Sequence, residues 1–177
     1  LQELYYWLFR VGYRPYMSKI GRNSDCLDTL YDKLAKTVNQ AYEETGRKVH
    51  LIGHSLGGVL SLSLVPRMSD KIASVITMGS PIRGIRSHPL VLQAGQRVRQ
   101  RIFLEGKNKA PGCFTGQCDC KPVASLQSGL PNQVPLTAIY TKTDGVVDWK
   151  YCISKKAEDN IEVKGTHIGL AFNPTVY

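Results

Sequence analysis

Two rhythms of apolar residues run along the chain. In residues 24–44 the apolar positions are Leu27, Leu30, Tyr31, Leu34, Ala35, Val38, Ala41 and Tyr42, the three-and-four spacing that lines one face of a helix. Ser24 is placed to cap the start of that helix and Gly46 to stop it. Elsewhere the apolar residues form short unbroken runs bounded by turn residues, the pattern of strands buried on both faces. Residues 48–53 (KVHLIG), 71–78 (KIASVITM), 135–141 and 161–164 are predicted strands, and residues 13–17 a further one. Residues 1–9 and 56–68 are predicted helices, the second with Pro66 near its end. Strands alternating with helices imply parallel βαβ units. The expected fold class is α/β, a mostly parallel sheet flanked by helices.

Residues 82–133 break the rhythm. Leu90, Ala94, Val98 and Ile102 recur at four-residue steps there, with Val91, Phe103 and Leu104 close by. A structureless connection of that length is improbable inside a compact domain. We therefore expect an amphipathic helix within an insertion that forms a lid or cap, with Val91, Val98 and Ile102 facing a substrate pocket.

Composition narrows the picture. The 177 residues are 42% apolar with a net charge of +9, enough apolar material for a core without a disulfide framework or a metal. No run of 18 apolar residues exists, so no membrane-spanning helix is predicted. The charge is local: Arg83, Arg86, Arg97, Arg99, Arg101, Lys107 and Lys109 face a single acid, Glu105. A solvated helix face explains such a cluster, as does attraction to anionic lipid. Without a nucleic-acid module signature or a base-stacking aromatic pattern, nucleic acid is not an expected partner.

Five cysteines are present, three of them in Cys113-Phe-Thr-Gly-Gln-Cys118-Asp-Cys120, with Cys26 and Cys152 apart. Zinc favours two closely spaced pairs, and here the fourth ligand would have to be Cys152 alone. A disulfide, free thiols and a metal remain open. A disulfide would favour a secreted or periplasmic location, and otherwise the compartment is undetermined.

The chemical signal is Gly53-His54-Ser55-Leu56-Gly57-Gly58. It follows a predicted strand and opens a predicted helix, the setting of a nucleophile elbow. A side chain at 53 or 57 is expected to collide with the neighbouring strand or helix, and Ser55 to adopt a strained backbone. The reward is an exposed hydroxyl at a helix N-terminus, with the Leu56 N–H placed to donate to an oxyanion. A serine needs a base, and the base an orienting acid. Asp144 follows a predicted strand, before Gly145, which is expected to permit the sharp turn there. His167 lies in a loop beyond the next strand. The order Ser, Asp, His is the one that an elbow of this type requires. Asp148, beside Trp149, is the rival acid and is better suited to capping a turn. His54 is expected to point away from Ser55 and to line a pocket or pack. His50 is a strand residue, and His88 lies in the insertion.

GHSLGG, VITMGSP, AIYTKTDGVVDW and VKGTHIGLAFNP, in that order, resemble the lipase and esterase branch of the α/β-hydrolase superfamily. The tract from Tyr13-Arg-Pro-Tyr to Ile20-Gly-Arg-Asn23 occurs in similar chains. The resemblance covers most of the chain outside the insertion. It implies carboxylic ester hydrolysis through Ser55, Asp144 and His167, an ester or lipid substrate, and no metal or organic cofactor. It also implies a second oxyanion donor on a loop after an earlier strand, which should lie between residues 13–17 and 48–53 in the sheet. That strand is absent from the sequence, so an unpaired gap and a core incomplete at both ends are expected. Acyl transfer or thioester hydrolysis by the same triad is the first alternative, and a non-catalytic binding domain the second. Oligomeric state is undetermined.

Overall fold

The computed structural model describes residues 1–21, 25–83, 89–106, 120–127 and 134–177. The helices are α1 (Gln2–Arg10), α2 (Leu27–Thr45), α3 (Leu56–Met68), α4 (Pro89–Leu104) and α5 (Lys121–Gln127). The strands are β1 (Val49–His54), β2 (Ile72–Met78), β3 (Leu136–Tyr140) and β4 (Asn160–Glu162). They form one parallel sheet in the order β1-β2-β3-β4. None of the helices among the described residues is long and apolar enough to cross a membrane.

β1, β2 and β3 alternate their side chains between two apolar layers. Leu51 and Val75, paired in register, join Leu30, Leu34, Val38, Leu60 and Leu64 beneath α2 and α3. Ile52 and Ile76 pair in register and, with Met78 and Ile139, face Leu4 of α1 and Leu170 of a 3-10 turn at Gly169–Phe172. Covering both faces of a parallel sheet explains the unbroken apolar runs. Burying one such leucine or isoleucine contributes about 1.5–3 kcal/mol.

Helix ends follow the sequence in part. Gly46 closes α2 in the left-handed conformation, φ 65°, and its N–H donates to the Tyr42 carbonyl. At the other end the capping position is Cys26 rather than Ser24, which lies outside the described residues.

Residues 13–17 do not form the expected strand. Arg14 and Tyr16 instead bond the Glu44 carboxylate of α2 at 2.6 and 2.7 Å. A cavity of about 690 Å³ lies between this segment and β1, walled by Arg14 and Tyr16 on one side and by His50 and Ile52 on the other. A strand needs a partner about 4.8 Å away, and across the cavity the segment has none. β1 is accordingly an edge of the sheet among the described residues, and the gap expected between the two segments is this cavity.

The turn from β1 to α3 is tightly packed. A Cβ on Gly53 would lie 2.5 Å from the Gly57 carbonyl carbon and oxygen, and one on Gly58 would run into the Ser80 hydroxyl, 2.8 Å from Ser80 Cβ. Gly57 meets nothing within 4 Å. The required glycines are therefore 53 and 58, and the expectation for 57 is corrected, because Gly57 sits on the open side of the first helical turn. Gly53→Ala should lower stability by at least about 2 kcal/mol through overpacking. Gly57→Ala should raise it by about 0.5–1 kcal/mol as a better helix former. Urea unfolding of the two variants measures both signs.

Candidate active site

Because the strands are all parallel, their carboxyl ends share one edge of the sheet, where α/β folds place ligand sites. Ser55 follows β1 at that edge, Gly79 follows β2, Asp144 lies beyond β3, and His167 lies beyond β4.

Ser55 has φ 53° and ψ −123°, a left-handed conformation that a residue with a side chain rarely adopts. The turn imposes it: the Ser55 N–H donates to the Met78 carbonyl at 2.9 Å, while its own carbonyl accepts from the Gly58 N–H at 3.1 Å. The next residue, Leu56, opens α3. Its N–H belongs to the first turn, whose donors have no intrahelical acceptor, at the end where the helix dipole favours negative charge.

Asp144 and His167 are brought together directly. Asp144 Oδ2 lies 2.7 Å from His167 Nδ1, with the two side chains 1% and 8% exposed. Asp144 Oδ1 accepts from the Val146 and Val147 N–H groups at 2.8 and 2.9 Å. Three hydrogen bonds offset the cost of burying this carboxylate. With the carboxylate as acceptor, Nδ1 of His167 carries the proton, leaving Nε2 with a lone pair. Those same N–H bonds to Asp144 build the turn. Gly145 has no positive φ and room for a Cβ, so the turn does not depend on glycine there.

Ser55 and His167 are not hydrogen-bonded to each other in this structure. Asp148 caps the 3-10 turn Trp149–Tyr151 by accepting from the Lys150 N–H at 3.1 Å. His50 is exposed and pairs with Ser74 Oγ at 2.8 Å. His54 Nε2 lies 2.8 Å from the His167 carbonyl oxygen. Burial holds its imidazole below the usual histidine range. His88 and the side chains of Val91, Val98 and Ile102 lie outside the described residues, although α4 itself spans Pro89–Leu104.

Cys26, Cys120 and Cys152 are buried, and Cys113 and Cys118 lie outside the described residues. Burial, reinforced by the Asp144 and Asp148 carboxylates, pushes the Cys152 thiol up to about 12. Cys152 is thereby a neutral packing residue under the Asp144 loop.

Three supporting residues escaped the sequence reading. Gly79, at φ 54°, lies beneath the acid–base pair: a Cβ there would stand 3.1 Å from His167 Nδ1 and 3.3 Å from Asp144 Oδ2. A glycine directly after a buried strand, in VITMGSP, was the available signal. The Thr141 and Thr143 hydroxyls both donate to the Gly165 carbonyl, at 3.1 and 2.6 Å. They tie the acid loop to the histidine loop, and their two-residue spacing just before Asp144 marked them. A second cavity, of about 540 Å³, is walled by Leu56, Val59 and Leu60 of α3 and by Ile82, Val123 and Leu126.

A family model described as palmitoyl protein thioesterase matches residues 7–147. The chain belongs to the palmitoyl protein thioesterase family. The matched residues of this family include Ser55 and Asp144 and end before His167. An extracellular alpha/beta-hydrolase from a Paenibacillus species is similar at 16% identity over 99% of this chain and 88% of its own, with a TM-score of 0.56. A thermophilic esterase from Thermogutta terrifontis is similar at 14% identity over 84% and 68%, with a TM-score of 0.51. Both likenesses place this thioesterase-family chain in the α/β-hydrolase fold. A monoacylglycerol lipase from Paleococcus ferrophilus shares 19% identity over 77% of this chain, with a TM-score of 0.49, and the chain spans 66% of that protein. No curated protein matches the chain significantly.

Gly79→Ala tests how closely the pair is fitted. The new methyl forces a left-handed alanine and presses on His167 and Asp144 together. The rate at which a serine-directed fluorophosphonate labels the protein should fall by about tenfold as His167 is displaced. Labelling at the unaltered rate would show that the site absorbs the methyl.

Proposed function

We propose that the chain hydrolyses an acyl thioester or ester through a covalent acyl-enzyme on Ser55. The observation that carries this reading is the 2.7 Å Asp144–His167 bond on the sheet edge that also holds Ser55 in its strained turn. His167 Nε2 takes the Ser55 proton while Oγ attacks the acyl carbon. The negative charge that forms on the acyl oxygen is met by the Leu56 N–H and the α3 dipole. Collapse breaks the bond to the leaving group, which receives the proton from His167 as thiol or alcohol. Water, deprotonated by His167, then attacks the acyl carbon and releases the carboxylic acid, returning the proton to Ser55.

The family match favours a palmitoyl thioester as the first substrate to test. The cavity of about 540 Å³ beside Leu56 supports an apolar acyl group, since ligand sites of about 300–1,000 Å³ are mainly apolar. Ile82, Val123 and Leu126, described residues of the span 82–133, wall this cavity against α3 and support a cap there. Carboxylic ester cleavage at a lipid surface is the second reading. It draws on Phe103 and Leu104, 51% and 76% exposed at the end of basic α4.

A fluorophosphonate should label the wild-type chain and leave Ser55→Ala unlabelled. Hydrolysis of palmitoyl-coenzyme A should fall by about 10⁴-fold or more in Ser55→Ala. Equal labelling of both proteins would overturn the catalytic reading in favour of a binding domain. A rate jump on emulsified long-chain esters, with no thioester cleavage, would favour the lipid-surface reading.

A further inference from the structure

His54 ends β1, one residue before Ser55, and its ring reaches across 113 positions of sequence to the histidine loop. The contact is to the main chain: His54 Nε2 stands 2.8 Å from the His167 carbonyl oxygen. A carbonyl oxygen can only accept, so Nε2 is the protonated nitrogen of His54. The two imidazole rings lie with centroids 4.8 Å apart at 50°.

The remaining anchors of that loop come from elsewhere. The Thr141 and Thr143 hydroxyls hold the Gly165 carbonyl, and Asn173 Nδ2 holds the Lys164 carbonyl at 2.8 Å. Asp144 holds the His167 ring at Nδ1. Among the described residues, the His54 bond is the hydrogen bond that joins the loop to β1, the strand that delivers Ser55.

We propose that His54 is a positioning residue, a neutral donor that fixes the His167 main chain relative to Ser55 so that Asp144 can orient the imidazole toward the serine. This rests on the triad reading above. Asp144 alone fixes one end of the ring and leaves the backbone beneath it to be placed, and small displacements of a catalytic group carry large rate losses.

The donor also has to be uncharged. His167 becomes an imidazolium during the proposed reaction, and a cation 4.8 Å away would oppose it. Burial is the largest influence on the His54 imidazole and lowers its pKa, and charge on His167 and at the Leu1 amino terminus acts in the same direction; the bond to the His167 carbonyl and the Asp144 carboxylate act the other way and are outweighed. Because its folded-state value is depressed, the stability it contributes is present above the ordinary histidine range and is lost as pH falls below it. A lysine or arginine at this position would supply a donor but also a permanent charge. Glutamine would supply a neutral donor of similar reach.

The test compares His54→Leu and His54→Gln with the wild type, using p-nitrophenyl butyrate turnover and amide hydrogen exchange of residues 163–172. His54→Leu should lower kcat by about 10- to 100-fold with KM within about twofold, and speed exchange in residues 165–170 by at least about tenfold. His54→Gln should restore most of both. Wild-type kcat in His54→Leu, or a glutamine variant no better than leucine in a folded protein, would overturn the proposal. Unchanged exchange in His54→Leu would overturn it as well. Exchange requires no turnover, so failure of the triad reading, seen as equal activity of wild type and Ser55→Ala, remains distinguishable from failure of this one.

Discussion

The reversal of the chain between β1 and α3 constrains everything built around it. The strand ends at His54 and the helix begins at Leu56, leaving one residue for the turn. Gly53 and Gly58 have to touch for this to happen, and each would clash if it carried a Cβ. Ser55 absorbs the geometry at φ 53°. Such a conformation costs on the order of 1–3 kcal/mol and persists only where the surroundings enforce it. Here they do: α3 is anchored along its length by Leu60, Leu62 and Leu64, all essentially fully buried. Core packing thus stabilises a strained serine at the mouth of a helix dipole.

The rest of the site is a problem of burying charge. The Asp144 side chain is almost wholly inaccessible, and an unpaired carboxylate there would be strongly destabilising. Its own loop supplies two N–H donors and His167 the third. Close approach of that pair to the sheet depends on Gly79 having no side chain. The threonine clasp on Gly165 and the His54 bond then fix the histidine loop from β3 and β1 respectively. The Asp144–His167 arrangement therefore draws on the ends of β1, β2, β3 and β4, which explains why it requires the parallel sheet.

Local chemistry made much of this legible in advance. Buried strands read as unbroken apolar runs because both faces of the sheet are covered, and the elbow read as GHSLGG because its glycines answer a short-range steric demand. What depended on tertiary neighbours was harder to read. Residues 13–17 have strand-like composition, but a strand is defined by its partner, and a cavity lies where the partner would be. Gly57 was named as a required glycine and Gly58 was not, because the obstacle to a side chain at 58 is Ser80, remote in sequence. His54 was expected only to pack or to line a pocket, and its bond was not legible because the acceptor, the His167 carbonyl, is 113 residues away. The Asp144 turn was credited to Gly145 although the aspartate side chain builds it.

The leaving group sets how much the histidine placement matters at each step. A thiol has an ordinary pKa near 8.5 and departs from the tetrahedral intermediate with little help from an acid, whereas an alkoxide requires the proton that His167 carries. For the proposed thioester substrate, then, the proton tasks left to His167 are the deprotonations of Ser55 and of water and the return of a proton to Ser55 Oγ as the acyl group leaves it. All of these need Nε2 aimed at an oxygen close to the Ser55 hydroxyl. A loop pinned at its backbone by His54 and at its ring by Asp144 is suited to that work, since it presents one lone pair in one direction.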